Sequence, residues 1–204
     1  MESDFSYEST PWDPKVSTYV LDWSMTKHYQ ISLRTNTVEQ IAHRYNVIDT
    51  AVKYWPNHPF WDILMVASLL HDTEVPLHEI AKGFSPATVS LIDEIRPNNK
   101  SIHRLGKNRY LINKMLSVSD NALFLMLCDR LVYISKLPSI TYKFDTRKMC
   151  RALTGRCGNE PYLTLLHDLY TQACEKITET ADDHTVEPDN SLTDPCDVNI
   201  MFGK

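Results

Sequence analysis

Histidine and aspartate stand side by side twice in this chain, each time after two leucines: Leu69-Leu70-His71-Asp72 and Leu165-Leu166-His167-Asp168. Each pair offers an imidazole nitrogen and a carboxylate oxygen, donors that suit a transition-metal ion. Context separates the two copies. His71 and Asp72 close a segment that is apolar nearly all round, from Phe60 and Trp61 through Leu69 and Leu70. They therefore belong in or at the edge of the core, where a carboxylate needs a partner. Two structural roles compete with ligation there: Asp72 capping a following short helix, and His71 donating to a backbone carbonyl. His167 and Asp168 instead fall opposite the stripe Leu163, Leu166, Tyr170, Ala173 and Ile177, and read as a solvated helix face.

A third carboxylate, Asp129, interrupts the apolar run Ala122 to Ile134. An ion pair with Arg130 or a capping role would satisfy it, but adjacent helical residues point about 100° apart and do not face each other. A bound cation is a better partner. His43 adds a fourth donor from a helix with two apolar seams. The set His43, His71, Asp72 and Asp129 suits manganese, iron, nickel or zinc better than calcium. On an octahedral ion it leaves positions for water and a phosphate oxygen, so the chemistry would be attack of activated water on phosphorus. His28, His58, His78, His103 and His184 have no comparable context and read as surface residues.

The elements that must carry these residues are helical. Glycine is scarce (five residues), strand-like alternation is absent, and apolar residues recur at helical spacing, which predicts an all-α fold of seven or eight helices. The first runs from about Thr37 to Tyr54. One apolar face is Val38, Ile41, Tyr45, Ile48, Val52 and Trp55, and a second seam is His43, Val47, Ala51 and Tyr54. Two prolines in Trp55-Pro56-Asn57-His58-Pro59 break it. The buried segment Phe60 to His71 follows, barred from continuing by Pro76. Short helices are expected near Leu77 to Lys82 and from Ser85 to Ile95, where Ser85-Pro86 is a start signal. Pro97-Asn98-Asn99-Lys100 reads as a loop. A polar helix spans Ile102 to Met115, an apolar one Asn121 to Leu137, and weaker ones lie near Thr146 to Leu153 and Pro161 to Thr178. Residues 1–178 are expected to form a single domain, and 179–204 an acidic, loosely held tail.

Composition narrows the partners. The chain has 204 residues, 43% hydrophobic and 23% charged, enough for one sizeable core. A net charge of −5 with no basic run argues against a nucleic acid polymer as partner. The longest apolar stretch, Ile63 to Leu70, is far short of the roughly 20 residues a membrane span needs. The N-terminus MESDFSYEST is too acidic for a signal peptide. Five scattered cysteines without a C-x-x-C read as free thiols of a cytoplasmic protein.

The order H…HD…D on helices resembles HD-domain metal-dependent phosphohydrolases. The intervening motifs are similar to one branch of them. They are His71-Asp72-Thr73, the amphipathic Leu77-His-Glu-Ile-Ala-Lys-Gly-Phe84, Val89-Ser-Leu-Ile-Asp-Glu-Ile95, Lys107-Asn-Arg-Tyr110 and Ala122-Leu-Phe-Leu-Met-Leu-Cys-Asp-Arg-Leu131. That branch is the hydrolase domain of RelA/SpoT-type (p)ppGpp enzymes and their small stand-alone relatives. The resemblance covers roughly Arg34 to Leu137. It implies an HD-domain helical bundle with a single Mn²⁺ (Fe, Ni or Zn as substitutes) held by His43, His71, Asp72 and Asp129. It implies hydrolysis of a phosphate or pyrophosphate ester on a small-molecule nucleotide, first an alarmone-type 3′-pyrophosphate. It further implies substrate-phosphate contacts by Arg34, Lys107 and Arg109, each of which could equally be a solvated surface charge.

The chain departs from that pattern in two places. The family's HD-T-x-E-D-T reads His71-Asp72-Thr73-Glu74-Val75-Pro76-Leu77 here. One acid remains, and the loop is about four residues shorter. Glu74 is then the candidate to orient or deprotonate the attacking water, or else an exposed loop acid. Where the family has asparagine four residues after the last aspartate, this chain has Tyr133, which could stack on a base or ribose or belong to the core. These departures keep two alternatives open. One is another HD nucleotide phosphatase acting on a dNTP, an NMP or NADPH. The other is a catalytically silent HD fold that binds a nucleotide or a protein partner.

Overall fold

The computed structural model describes residue 23, residues 37–136 and residues 139–175. Arg34, His28, His184 and the expected tail from 179 lie outside the described residues, and so does the end of the last predicted helix. Among the described residues there are nine helices and no strand: α1 (Val38–Tyr54), α2 (Trp61–Leu70), α3 (Leu77–Ile80), α4 (Pro86–Ile95), α5 (Asn99–Leu105), α6 (Lys107–Ser117), α7 (Asp120–Ile134), α8 (Ile140–Leu153) and α9 (Tyr162–Cys174). The expected all-α fold is observed. No helix among the described residues is long and apolar enough to cross a membrane.

Helix starts follow local chemistry. Thr37 opens α1 with a capping box: its hydroxyl accepts from Gln40 N, and Gln40 Oε1 accepts from Thr37 N. Ser85 caps α4 ahead of Pro86, Ser119 caps α7 and Ser139 caps α8. The buried face of α1 is centred on Arg44, Val47, Ile48 and Ala51, between the two seams read from sequence, while Val38 is exposed. Every residue of α2 from Leu64 to Leu70 is buried.

Helix α7 is the hub. It packs against α1, α2, α4, α6 and α9, while α8 packs on α6 and α9. Its side chains from Ala122 to Ile134 are buried except Met126, Asp129 and Tyr133, and that i, i+3, i+7 stripe lines a cavity.

Three expectations need correction. The polar segment Ile102 to Met115 is not one helix. It splits into α5 and α6 at Gly106, whose φ of 79° and ψ of 148° no helix accommodates. This also makes nine helices among the described residues where seven or eight were expected. Asn98 caps α5 by accepting from Ser101 N, so Asn99 and Lys100 are helical, not loop. His58 is not a surface residue. It is buried, donates from Nε2 to Asn121 Oδ1 at 3.1 Å, and accepts at Nδ1 from Phe60 N at 3.0 Å, thereby serving the unsatisfied start of α2. Trp55, Trp61 and Phe124 surround it.

Candidate metal centre

Three of the four candidate ligands converge. His43 comes from the middle of α1, His71 caps the C-terminus of α2, and Asp129 stands on the open stripe of α7. One ligand atom from each lies within 4.8 Å of the others. His43 Nε2 is 2.7 Å from Asp129 Oδ1 and His71 Nε2 is 3.5 Å from the same oxygen. His71 Nδ1 donates to Ser68 O at 2.7 Å. That bond orients the ring and leaves Nε2 facing the cluster, the arrangement by which a backbone carbonyl sets a metal-binding tautomer.

Electrostatics agree with a cation-binding donor set. Burial acts to raise the Asp129 carboxyl pKa, but hydrogen bonds and charge from His43 and His71 outweigh it and hold the group far below the usual carboxylate range. For His71, burial acts to lower the imidazole, and Asp129, Asp72 and the Ser68 carbonyl together raise it above its ordinary value. Two imidazoles turned toward one ionised carboxylate fit a divalent transition-metal ion.

Asp72 is held differently. Arg44 Nε donates to its Oδ1 at 2.5 Å, and the Arg44 side chain is 1% exposed against 29% for Asp72. Asp72 therefore lies beside the three-residue cluster as the partner of an arginine. Arg44 escaped sequence reading, although a charged residue in register with Val47, Ile48 and Ala51 was a signal.

The cluster opens into a cavity of about 660 Å³. His43, His71, Asp72, Glu74, Lys107, Asp129 and Tyr133 all line it. Glu74 and Lys107 are exposed at its wall, and Tyr133 is half-exposed. Arg109 is exposed and does not line the cavity, and Arg34 lies outside the described residues. Arg130 turns away from Asp129, as adjacent helical residues must. Its Nε donates to Thr146 Oγ1 at 3.1 Å and its guanidinium lies 4.0 Å from the Tyr142 ring centre.

A second arginine holds the altered loop. Arg96, at the end of α4, donates to Val75 O (2.6 Å), Leu70 O (3.3 Å) and Thr73 Oγ1 (3.0 Å). One guanidinium thus braces both sides of His71-Asp72-Thr73-Glu74. Lys114 in turn donates to Arg96 O and to Tyr110 Oη. The second HD pair stays apart from this centre: His167 is exposed, and Asp168 accepts from Tyr54 Oη at 2.5 Å, an α1–α9 tie that its solvated-face reading did not include.

No family model matches the chain, and no curated protein does either. A search of solved structures finds a metazoan ortholog of SpoT that hydrolyzes ppGpp and plays a role in starvation responses. It aligns with a TM-score of 0.59 and 21% identity over 79% of this chain and 97% of that one. The chain has the fold of that SpoT ortholog. At this identity the likeness establishes the helical architecture, the one expected from the HD-type resemblance.

Proposed function

We propose that the chain is a metal-dependent phosphohydrolase acting on a nucleotide, with an alarmone-type 3′-pyrophosphate as first substrate. The observation that carries this reading is the convergence of His43, His71 and Asp129 on one point of a cavity. Its setting on a fold shared with a ppGpp-hydrolysing protein supports it. His43, His71 and Asp129 would hold the ion, manganese by preference, with Asp72 adjacent. Bound there, such an ion lowers the pKa of water and polarises a phosphoryl oxygen.

The chain's own residues supply the rest. Glu74, on the braced loop at the cavity wall, would orient the attacking water and accept its proton. Lys107, at the cavity wall, would offer a cation to substrate phosphate. Helix α2 ends at His71, so its negative dipole end also favours a cation at this point.

The exposed Tyr133 and the single loop acid favour one further reading, a phosphatase of the same fold acting on a dNTP, an NMP or NADPH. The test is release of phosphate or pyrophosphate from a nucleotide panel with manganese present. The expected result is manganese-dependent turnover of ppGpp that Asp129→Ala and Asp72→Ala abolish. Full activity in both variants overturns the reading, and turnover confined to another nucleotide selects the second. Metal and nucleotide binding without turnover selects a silent binding fold.

A further inference from the structure

Tyr133 and Tyr142 come from different helices, α7 and α8, and their rings meet at 4.7 Å between centres with a 40° tilt. Both line the cavity. Tyr142 is fixed from below: the buried Arg130 places its guanidinium 4.0 Å from the Tyr142 ring centre and is itself held by Thr146. Arg130 and Tyr133 stand one turn apart on α7, so a single helix carries the cation and the outer ring. Tyr133 is 51% exposed. A large aromatic ring, braced behind and open in front, inside a concave site, is a surface on which a planar group stacks.

The spacing from Asp129 along α7 bears on what that group is. Tyr133 follows Asp129 by four residues on the same helix face, a separation of about 6 Å along the axis. A ribose bridges such a gap, with its phosphate at the ligand cluster and its base over the tyrosine.

The geometry points to Tyr133, backed by Tyr142, as the platform that binds the nucleobase of the substrate. This rests on the nucleotide reading above and deepens it. It makes Tyr133 and Tyr142 specificity residues that recognise the base by its π face, with the phosphates recognised elsewhere. Stacking on tyrosine tolerates any base, so discrimination should fall between ligands with a base and ligands without one.

The test is calorimetric binding of GDP and of inorganic pyrophosphate to the full chain, without turnover. The wild type is expected to bind GDP at least tenfold tighter than pyrophosphate. Tyr133→Ala should weaken GDP about tenfold and leave pyrophosphate within about twofold, whereas Tyr133→Phe keeps both. Because Tyr133 is half-exposed, its truncation does not threaten folding. Tyr142→Leu, which unseats the backing ring, should weaken GDP selectively as well. Wild-type binding of GDP no tighter than pyrophosphate, or of neither, overturns the platform. So does an equal loss of both ligands in Tyr133→Ala. Selective GDP binding with no hydrolysis of any nucleotide would instead overturn the phosphohydrolase reading and keep the platform.

Discussion

Arg44 Nε donates to Asp72 Oδ1 at 2.5 Å, so the residue following one candidate ligand holds the other half of the HD pair. Arg44 is wholly buried and Asp72 is partly open to the cavity. Truncating the arginine strips the partly exposed Asp72 carboxylate of this bond. Arg44→Met is expected to cost about 2 kcal/mol in urea unfolding, the scale of a hydrogen bond to a charged group. Asp72→Asn keeps an acceptor oxygen and should cost less than about 1 kcal/mol. Equal stability of Arg44→Met and the parent would show that the bond contributes nothing to folding.

Manganese is expected to raise the unfolding free energy by mass action, about 2.7 kcal/mol at a hundredfold excess over Kd. Chelation should reverse the gain. In Asp129→Asn the increment should vanish, because the carboxylate facing both imidazoles is lost. A rise of equal size in that variant would place the ion elsewhere.

His58 is expected to make folding sensitive to mild acid. Burial holds its imidazole below the ordinary value of 6.5, with the Asn121 bond acting the other way. As pH falls below 6.5 the unfolded chain takes up a proton that the folded chain refuses, so stability present above that point is lost toward the folded value. Melting midpoints should fall more steeply from about pH 7 to about pH 5 in the parent than in His58→Gln. Identical slopes would assign the acid sensitivity to other groups.

Arg96 braces the loop that carries Glu74 with three hydrogen bonds. Arg96→Met should therefore speed amide exchange across residues 71–75 while the amides of α7 stay protected. The expected loss of global stability is about 1–3 kcal/mol. Unchanged exchange in the loop would mean that its own turns suffice.

Gly106 separates α5 from α6 in a backbone region that only glycine occupies at low cost. A Cβ there would meet nothing within 4 Å, so the cost of a side chain is conformational alone. Gly106→Ala should lose about 1–3 kcal/mol. Asparagine, which tolerates the left-handed helical region but not this one, should do no better. Rescue by Gly106→Asn in thermal unfolding would contradict the assignment.

Apolar periodicity made α1, α2 and α7 legible, because each buries a stripe or a whole circumference. It also marked Asp129, since a lone carboxylate in such a run is conspicuous. Arg44 was hidden by the same logic: a charged residue invites assignment to solvent, and the apolar residues flanking it were divided between two seams. His58 sits between two prolines, which signal a loop, but its burial arises from Trp55, Trp61 and Phe124, contacts that only tertiary structure creates. Tyr142 lies past Leu137, beyond the stretch that resembles a known hydrolase domain. Its role depends on α8 packing that no local pattern encodes.

The pitch of α7 has a consequence for how this chain can vary. Asp129 and Tyr133 share a face only because four residues separate them, slightly more than one turn. Inserting or deleting a single residue between them would rotate one against the other by about 100° and drive a tyrosine into the core or a carboxylate out of the cavity. The helix is thus a ruler with a fixed graduation: exchanging the side chain at one mark leaves the other mark in place, whereas changing the interval displaces one of them.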